Sequence, residues 1–149
     1  MREILFRGKR IDNDEWVYGS FCMDALEQFN GLCGVDGFIR LYDKTKCKMQ
    51  THEVDRETVG QYTGLTDKNG KRIFEGDIVQ YHERQFDGKD VPVRDAVIYE
   101  EGGFSVRAYF LNNWLWNSIN GNTQLRDVEI IGNIHDKPEL LKEGADNAK

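Results

Sequence analysis

Short segments of β-branched and aromatic residues, each closed off by a glycine or asparagine turn, constrain this chain most. Asn69-Gly70 is the strongest hairpin dipeptide available, because both positions tolerate the positive φ angles of a type I′ turn. Phe104, Val106, Ala108 and Phe110 alternate with Ser105, Arg107 and Tyr109, the period-two signature of a half-buried strand. Similar segments are predicted at Ile4 to Phe6, Trp16 to Phe21, Phe38 to Asp43, Thr58 to Thr63, Ile78 to Tyr81, Asp95 to Tyr99 and Leu125 to Ile131. Asn13 and Asp14 supply a turn between the first two of these. Strands so short, with turns so dense, point to a mainly β fold of antiparallel strands, a small barrel or sandwich, over a doubly wound α/β fold. Helix is a minor part of that expectation, although a β-rich α+β arrangement fits as well. A brief helix can run from Met23 to Phe29 before Gly31, Gly34 and Gly37 end it. A second is predicted after Asp136-Lys137-Pro138-Glu139, where an N-cap carboxylate and an early proline precede Leu140-Leu141. The residues from Glu143 to Lys149 are expected to fray, and Lys44 to Glu57 and His82 to Pro92 read as a polar link and a polar loop.

The 149 residues suffice for one domain or two small lobes. Leu, Ile, Val and Phe total 38, enough for a core. A division into an N-terminal β-rich lobe, 1–55, and a barrel-like C-terminal domain, 56–149, follows the change of pattern near residue 55. Lys and Arg number 20 against 26 for Asp and Glu, a net charge of −6 that disfavours a general nucleic-acid binder. Cys22, Cys33 and Cys47 fit neither a paired framework nor a metal knuckle and read as reduced thiols. No apolar run reaches signal-peptide or membrane-spanning length, so a cytoplasmic protein is expected.

Three segments, REILFRGKRIDNDEWVYG (2–19), VDRETVGQYTGLTDKNGKRIFEGDIV (54–79) and EIIGNIHDKPELL (129–141), together resemble the YopX family of phage and prophage proteins. Their order and spacing follow the family along nearly the whole chain. The run GQYTGLTDKNGKRIFEGDIV is the specific one, being too long and particular to arise from generic turn chemistry. Departures are His135, where a tyrosine is common, and the long polar loop at His82 to Pro92. The resemblance implies phage or prophage origin, hence the cytoplasm of a bacterial host, and a β-rich fold with an SH3-like, barrel-like C-terminal part. It brings no catalytic residue with it.

Several motifs imitate chemistry without meeting its requirements. In Gly64-Leu65-Thr66-Asp67-Lys68-Asn69-Gly70-Lys71, five residues separate the glycines and Arg72 follows the lysine, so the phosphate-loop spacing fails. The same stretch resembles a calcium loop, but its twelfth position is Ile78 where a bidentate glutamate is needed. His52, His82 and His135 lie too far apart in sequence to form a metal site without help from the fold. Asp77, after Gly76 and before a β-branched strand, suits a carboxylate that ties a turn through backbone N–H groups.

An enzyme would require a pocket gathering Asp77, His82 and neighbouring acids. No catalytic, cofactor or metal residue is therefore assigned. Tyr62, Tyr81, Trp114 and Trp116 are the candidate interaction surface, with core burial as the competing and favoured assignment. Arg2, Arg7, Lys9 and Arg10 are the candidate phosphate contacts of an alternative, single-stranded nucleic-acid-binding reading. The leading expectation is a noncatalytic accessory protein that works through protein contacts, with itself as a homo-oligomer and with an unidentified protein.

Overall fold

A computed structural model describes residues 3–23, 37–84, 86–100, 102–106, 109–110 and 125–143. The chain is mainly antiparallel β and divides into two compact units, Met1–Tyr62 and Thr63–Lys149. The division falls inside one long strand, just past the last residue of that strand paired with the first, Gln61 opposite Phe6.

In the first unit, strand β1 (Phe6–Arg10) turns back into β2 (Trp16–Cys22), with Phe6 opposite Gly19 and Lys9 opposite Trp16. The turn is built by its own side chains. Asn13 Oδ1 accepts the Glu15 N–H at 3.0 Å, and Asp14 adopts a φ of 58°, which its short polar side chain tolerates. Strand β3 (Phe38–Asp43) pairs with β2 through Ser20 opposite Arg40 and Cys22 opposite Phe38. Gly19 is required beside this pairing, since a Cβ there would stand 2.2 Å from the Arg40 carbonyl oxygen.

Strand β4 (Lys48–Thr66) overturns the polar-link reading of Lys44 to Glu57. Its first residues pair with β3, Lys48 opposite Asp43 through Glu53 opposite Phe38, and its middle pairs with β1, Val54 opposite Arg10 through Gln61 opposite Phe6. Charged residues on the outward side disguise the strand, while Val54, completely buried, marks the inward side. The register slips between Arg7 and Lys9, and Thr58 fills the irregularity. Its hydroxyl accepts the Lys9 N–H at 2.9 Å and donates to the Asp55 carbonyl at 2.6 Å.

In the second unit, the end of β4 forms a hairpin with β5 (Arg72–Phe74) around Asp67 to Gly70. Strands β6 (Asp77–Arg84), β7 (Asp90–Glu100), β8 (Gly103–Val106), β9 (Tyr109–Phe110) and β10 (Leu125–Asn133) make a five-stranded sheet in the order β10-β6-β7-β8-β9. This sheet is not a closed barrel, so the SH3-like barrel expectation gives way to two sheets within the mainly β class. The expected polar loop at His82 to Pro92 is also shorter than predicted: His82 pairs with Pro92 and Arg84 with Asp90, which extends the hairpin almost to its tip. Nor does the alternation from Phe104 to Phe110 form a single strand. Ser105 opposes Phe110 and Val106 opposes Tyr109, so the chain reverses between them, and β8 is buried at every position.

The core of this unit comprises Ile73, Val79, Tyr81, Val97, Phe104, Val106 and Val128, with Leu65, Val93 and Ile130 packed against it. Helix α1 (Leu140–Glu143) is a single turn. Asn133 organises the approach to it, accepting the His135 and Asp136 N–H groups at 3.0 and 2.9 Å and donating its amide to Asp136 at 2.7 Å. The helix expected at Met23 to Phe29 lies outside the described residues, apart from Met23 itself.

Candidate interaction surface

In antiparallel sheets, directly opposed residues project to the same side, so the register of β2, β3 and β4 defines the faces. Ile39, Leu41 and Phe21 share the inner side with His52 and Gln50. The outer side carries Phe38, Arg40 and Tyr42 on β3 and Glu53, Thr51 and Met49 on β4, with Ser20 and Tyr18 continuing it on β2. Tyr42 and Met49 oppose each other and are 55% and 53% exposed, and Tyr18 is 47% exposed. Arg40 and Glu53 are exposed too, and among the described residues neither side chain makes an ion pair. Exposed Tyr, Met and Arg on one face form the composition enriched at protein interfaces.

The aromatics singled out by sequence lie elsewhere. Tyr62 and Tyr81 are core residues, 7% and 1% exposed, so neither forms a surface platform. Tyr81 instead donates its hydroxyl to Asp95 Oδ2 at 3.1 Å inside the second unit, where a buried phenol needs a partner. Trp114 and Trp116 lie outside the described residues. Sequence reasoning missed Tyr18, Arg40, Tyr42 and Met49. Alternation in Phe38 to Asp43 already groups Arg40 with Tyr42, but reading Lys44 to Glu57 as a link removes the strand on which Met49 completes the patch.

The described members of the basic cluster are engaged by an aromatic ring and by carboxylates. Arg2 lies outside the described residues. Arg7 is buried, with Cζ 4.7 Å from the Trp16 ring centroid, and Lys9 Nζ lies 5.7 Å from the same ring. Arg10 is engaged by Asp12 through Nε at 2.8 Å and through Nη2, with Glu15 4.0 Å away. The side-chain hydrogen bond to Asp12 holds the guanidinium pKa above its usual value, and the same bond holds the Asp12 carboxyl below its own. These cations are thus committed within their own unit. Beside them, a cleft of about 230 Å³ is lined by Arg10, Ile11, Asp12, Thr51, His52 and Glu53.

The tempting carboxylates are engaged by the backbone. Asp77 Oδ2 accepts the Phe74 N–H at 2.7 Å, closing the turn between β5 and β6. Asp67 Oδ1 accepts the Asn69 and Lys71 N–H groups at 2.8 and 2.9 Å, and its Oδ2 accepts Ile130 N–H at 3.2 Å. Burial pushes the Asp67 pKa up, but these three backbone donors outweigh it and leave the carboxyl below its ordinary value. Asp77 and His82 stand five positions apart on β6, so strand alternation directs them to opposite faces. Among the described residues, no three His, Cys, Asp or Glu side chains gather as a metal site, and no helix is long and apolar enough to cross a membrane.

The family model described as YopX protein matches residues 5–142. The chain belongs to the YopX family. Protein EF1440 from Enterococcus faecalis, known from a crystal structure, is similar to this YopX-family chain with a TM-score of 0.53 and 24% sequence identity. The similarity covers 95% of this chain and 99% of that one, and at this identity it speaks to fold alone. No curated protein matches the chain. In this YopX-family chain, the specific run from Gly60 to Val79 is occupied with structure: Asp67 pins its hairpin turn and Asp77 closes its second turn.

Proposed function

We propose that this chain is a phage- or prophage-encoded, noncatalytic accessory protein that works in the bacterial cytoplasm through protein contacts, including contacts with copies of itself. One observation carries this reading: the outward face of β2, β3 and β4 exposes Tyr18, Arg40, Tyr42 and Met49 together. Large flat side chains lose little rotamer entropy on burial, and a guanidinium beside them supplies directional hydrogen bonds, so such a face gains much from a protein partner. The commitment of Asp67, Asp77 and Asp95 to hydrogen bonds that hold the fold supports a noncatalytic role.

The alternative is a binding module for single-stranded nucleic acid. With Tyr62 and Tyr81 buried and Arg10 paired to Asp12, the described residues offer it Tyr18 and Tyr42 for stacking bases and Arg40 for phosphate. Light scattering after size exclusion, at low and high salt, with and without a short mixed oligonucleotide, decides between the two. An elution and mass indifferent to the oligonucleotide is the expected result. A complex that forms with the oligonucleotide at low salt and dissociates at high salt would overturn the reading.

A further inference from the structure

We propose that the outer face of β3 and β4 is a two-fold interface between two copies of this chain; this deepens the interaction-module reading and rests on it. An isologous interface brings a patch against itself, so it must carry both members of every complementary pair. This patch does. Its rows are Tyr42 opposite Met49, Arg40 opposite Thr51, and Phe38 opposite Glu53. A two-fold axis parallel to the strands, midway between β3 and β4, places β3 of one copy over β4 of the other and keeps the rows in step. Tyr42 then meets the second copy's Met49, and Met49 meets the second copy's Tyr42. Arg40 lies over the second copy's Thr51, one row from its Glu53, within reach of a guanidinium on its flexible stem.

Charge favours a second copy over an unrelated apolar partner. Arg40 and Glu53 are exposed diagonal neighbours on one face, yet their side chains form no ion pair within the chain among the described residues. In the two-fold arrangement each finds its opposite on the second copy, so the pair forms twice per dimer, beside the sulfur–aromatic contact of Met49 with Tyr42. An alternative axis perpendicular to the strands would stack Arg40 on Arg40 and is disfavoured by like charge.

Charge reversal tests this through sedimentation or light scattering at micromolar concentration, with circular dichroism to verify folding. Wild-type protein is expected to be a dimer. R40E and E53R are each expected to be folded monomers, because each opposes like charges twice. Mixing the two variants is expected to restore a dimer, since the R40E face then meets the E53R face with both pairs complementary, an outcome that misfolding cannot imitate. A monomeric wild type would overturn the proposal, as would a dimer that survives both variants or single variants that fail to recover on mixing. A dimer that survives both reversals leaves the interaction-module reading standing on another surface, a monomeric wild type removes its self-association as well, and the oligonucleotide result described above removes the reading altogether.

Discussion

Asp67 and Ile130 are 63 positions apart in the chain and joined by one hydrogen bond, from the Ile130 N–H to Asp67 Oδ2 at 3.2 Å. The other oxygen of the same carboxylate holds Asn69 and Lys71, so a single side chain ties the Asp67 to Gly70 turn to itself and to β10. The Lys68 N–H reinforces the junction by donating to the Val128 carbonyl at 2.8 Å. Replacing Asp67 with Ala removes the acceptor of three backbone donors and is expected to cost about 2 kcal/mol, read from chemical denaturation. An unchanged denaturation midpoint would show that water satisfies these donors equally well.

The same carboxylate sets an acid limit. Its folded pKa lies below its ordinary value, and an unfolded Asp titrates near ~3.9. A depressed folded pKa means the stabilisation is fully present above the unfolded value and is lost as pH falls through the folded one. Thermal stability is therefore expected to decline on acidification below about pH 4, and Asp67→Asn is expected to flatten the part of that decline due to this group. Identical pH profiles for the two proteins would contradict the assignment.

Asp77 offers a separate test of turn closure. It is 2% exposed and accepts the Phe74 N–H at 2.7 Å, so Asp77→Ala leaves a buried backbone donor unmet and is expected to cost about 2 kcal/mol. Asp77→Asn keeps an acceptor oxygen in the same place and is expected to recover part of that loss. If both variants were equally destabilised, charge and not geometry would be what the turn requires.

Gly19 tests the approach of β2 to β3. A methyl group 2.2 Å from a carbonyl oxygen cannot be accommodated without moving backbone, so Gly19→Ala is expected to destabilise by about 3 kcal/mol. Gly70, whose Cβ would meet nothing within 4 Å, serves as the comparison. Its φ of 78° makes Gly70→Ala costly through backbone strain alone, by about 1 kcal/mol. Equal losses at both sites would mean that β2 can withdraw from β3 freely.

Much of the strand inventory is legible in the residues because β-branched and aromatic side chains at period two have few other stable arrangements. The Asn69-Gly70 turn, the Trp16 and Phe38 strands and the turn-closing role of Asp77 are local chemistry, readable over a few positions. The start of β4 and the ends of the β6–β7 hairpin are not, because their outward residues are polar and what makes them strands is the partner across the ladder. The candidate surface was less legible for the same reason. Whether Tyr81 faces a core or a partner depends on what other strands deliver to it, and Asp95 receives its hydroxyl from fourteen positions away.

The amino-acid sequence by itself determined the mainly β class, the turns and the membership of the YopX family, since these rest on short-range conformational preference and on a long, particular run of residues. Only the tertiary structure decided that the sheet of the second unit is not a closed barrel and that Tyr62 and Tyr81 are interior, while Tyr18, Arg40, Tyr42 and Met49 share an exposed face. Burial and face are properties of register, and register is fixed by hydrogen bonds between strands far apart in the chain, where a slip of one residue exchanges the inside for the outside.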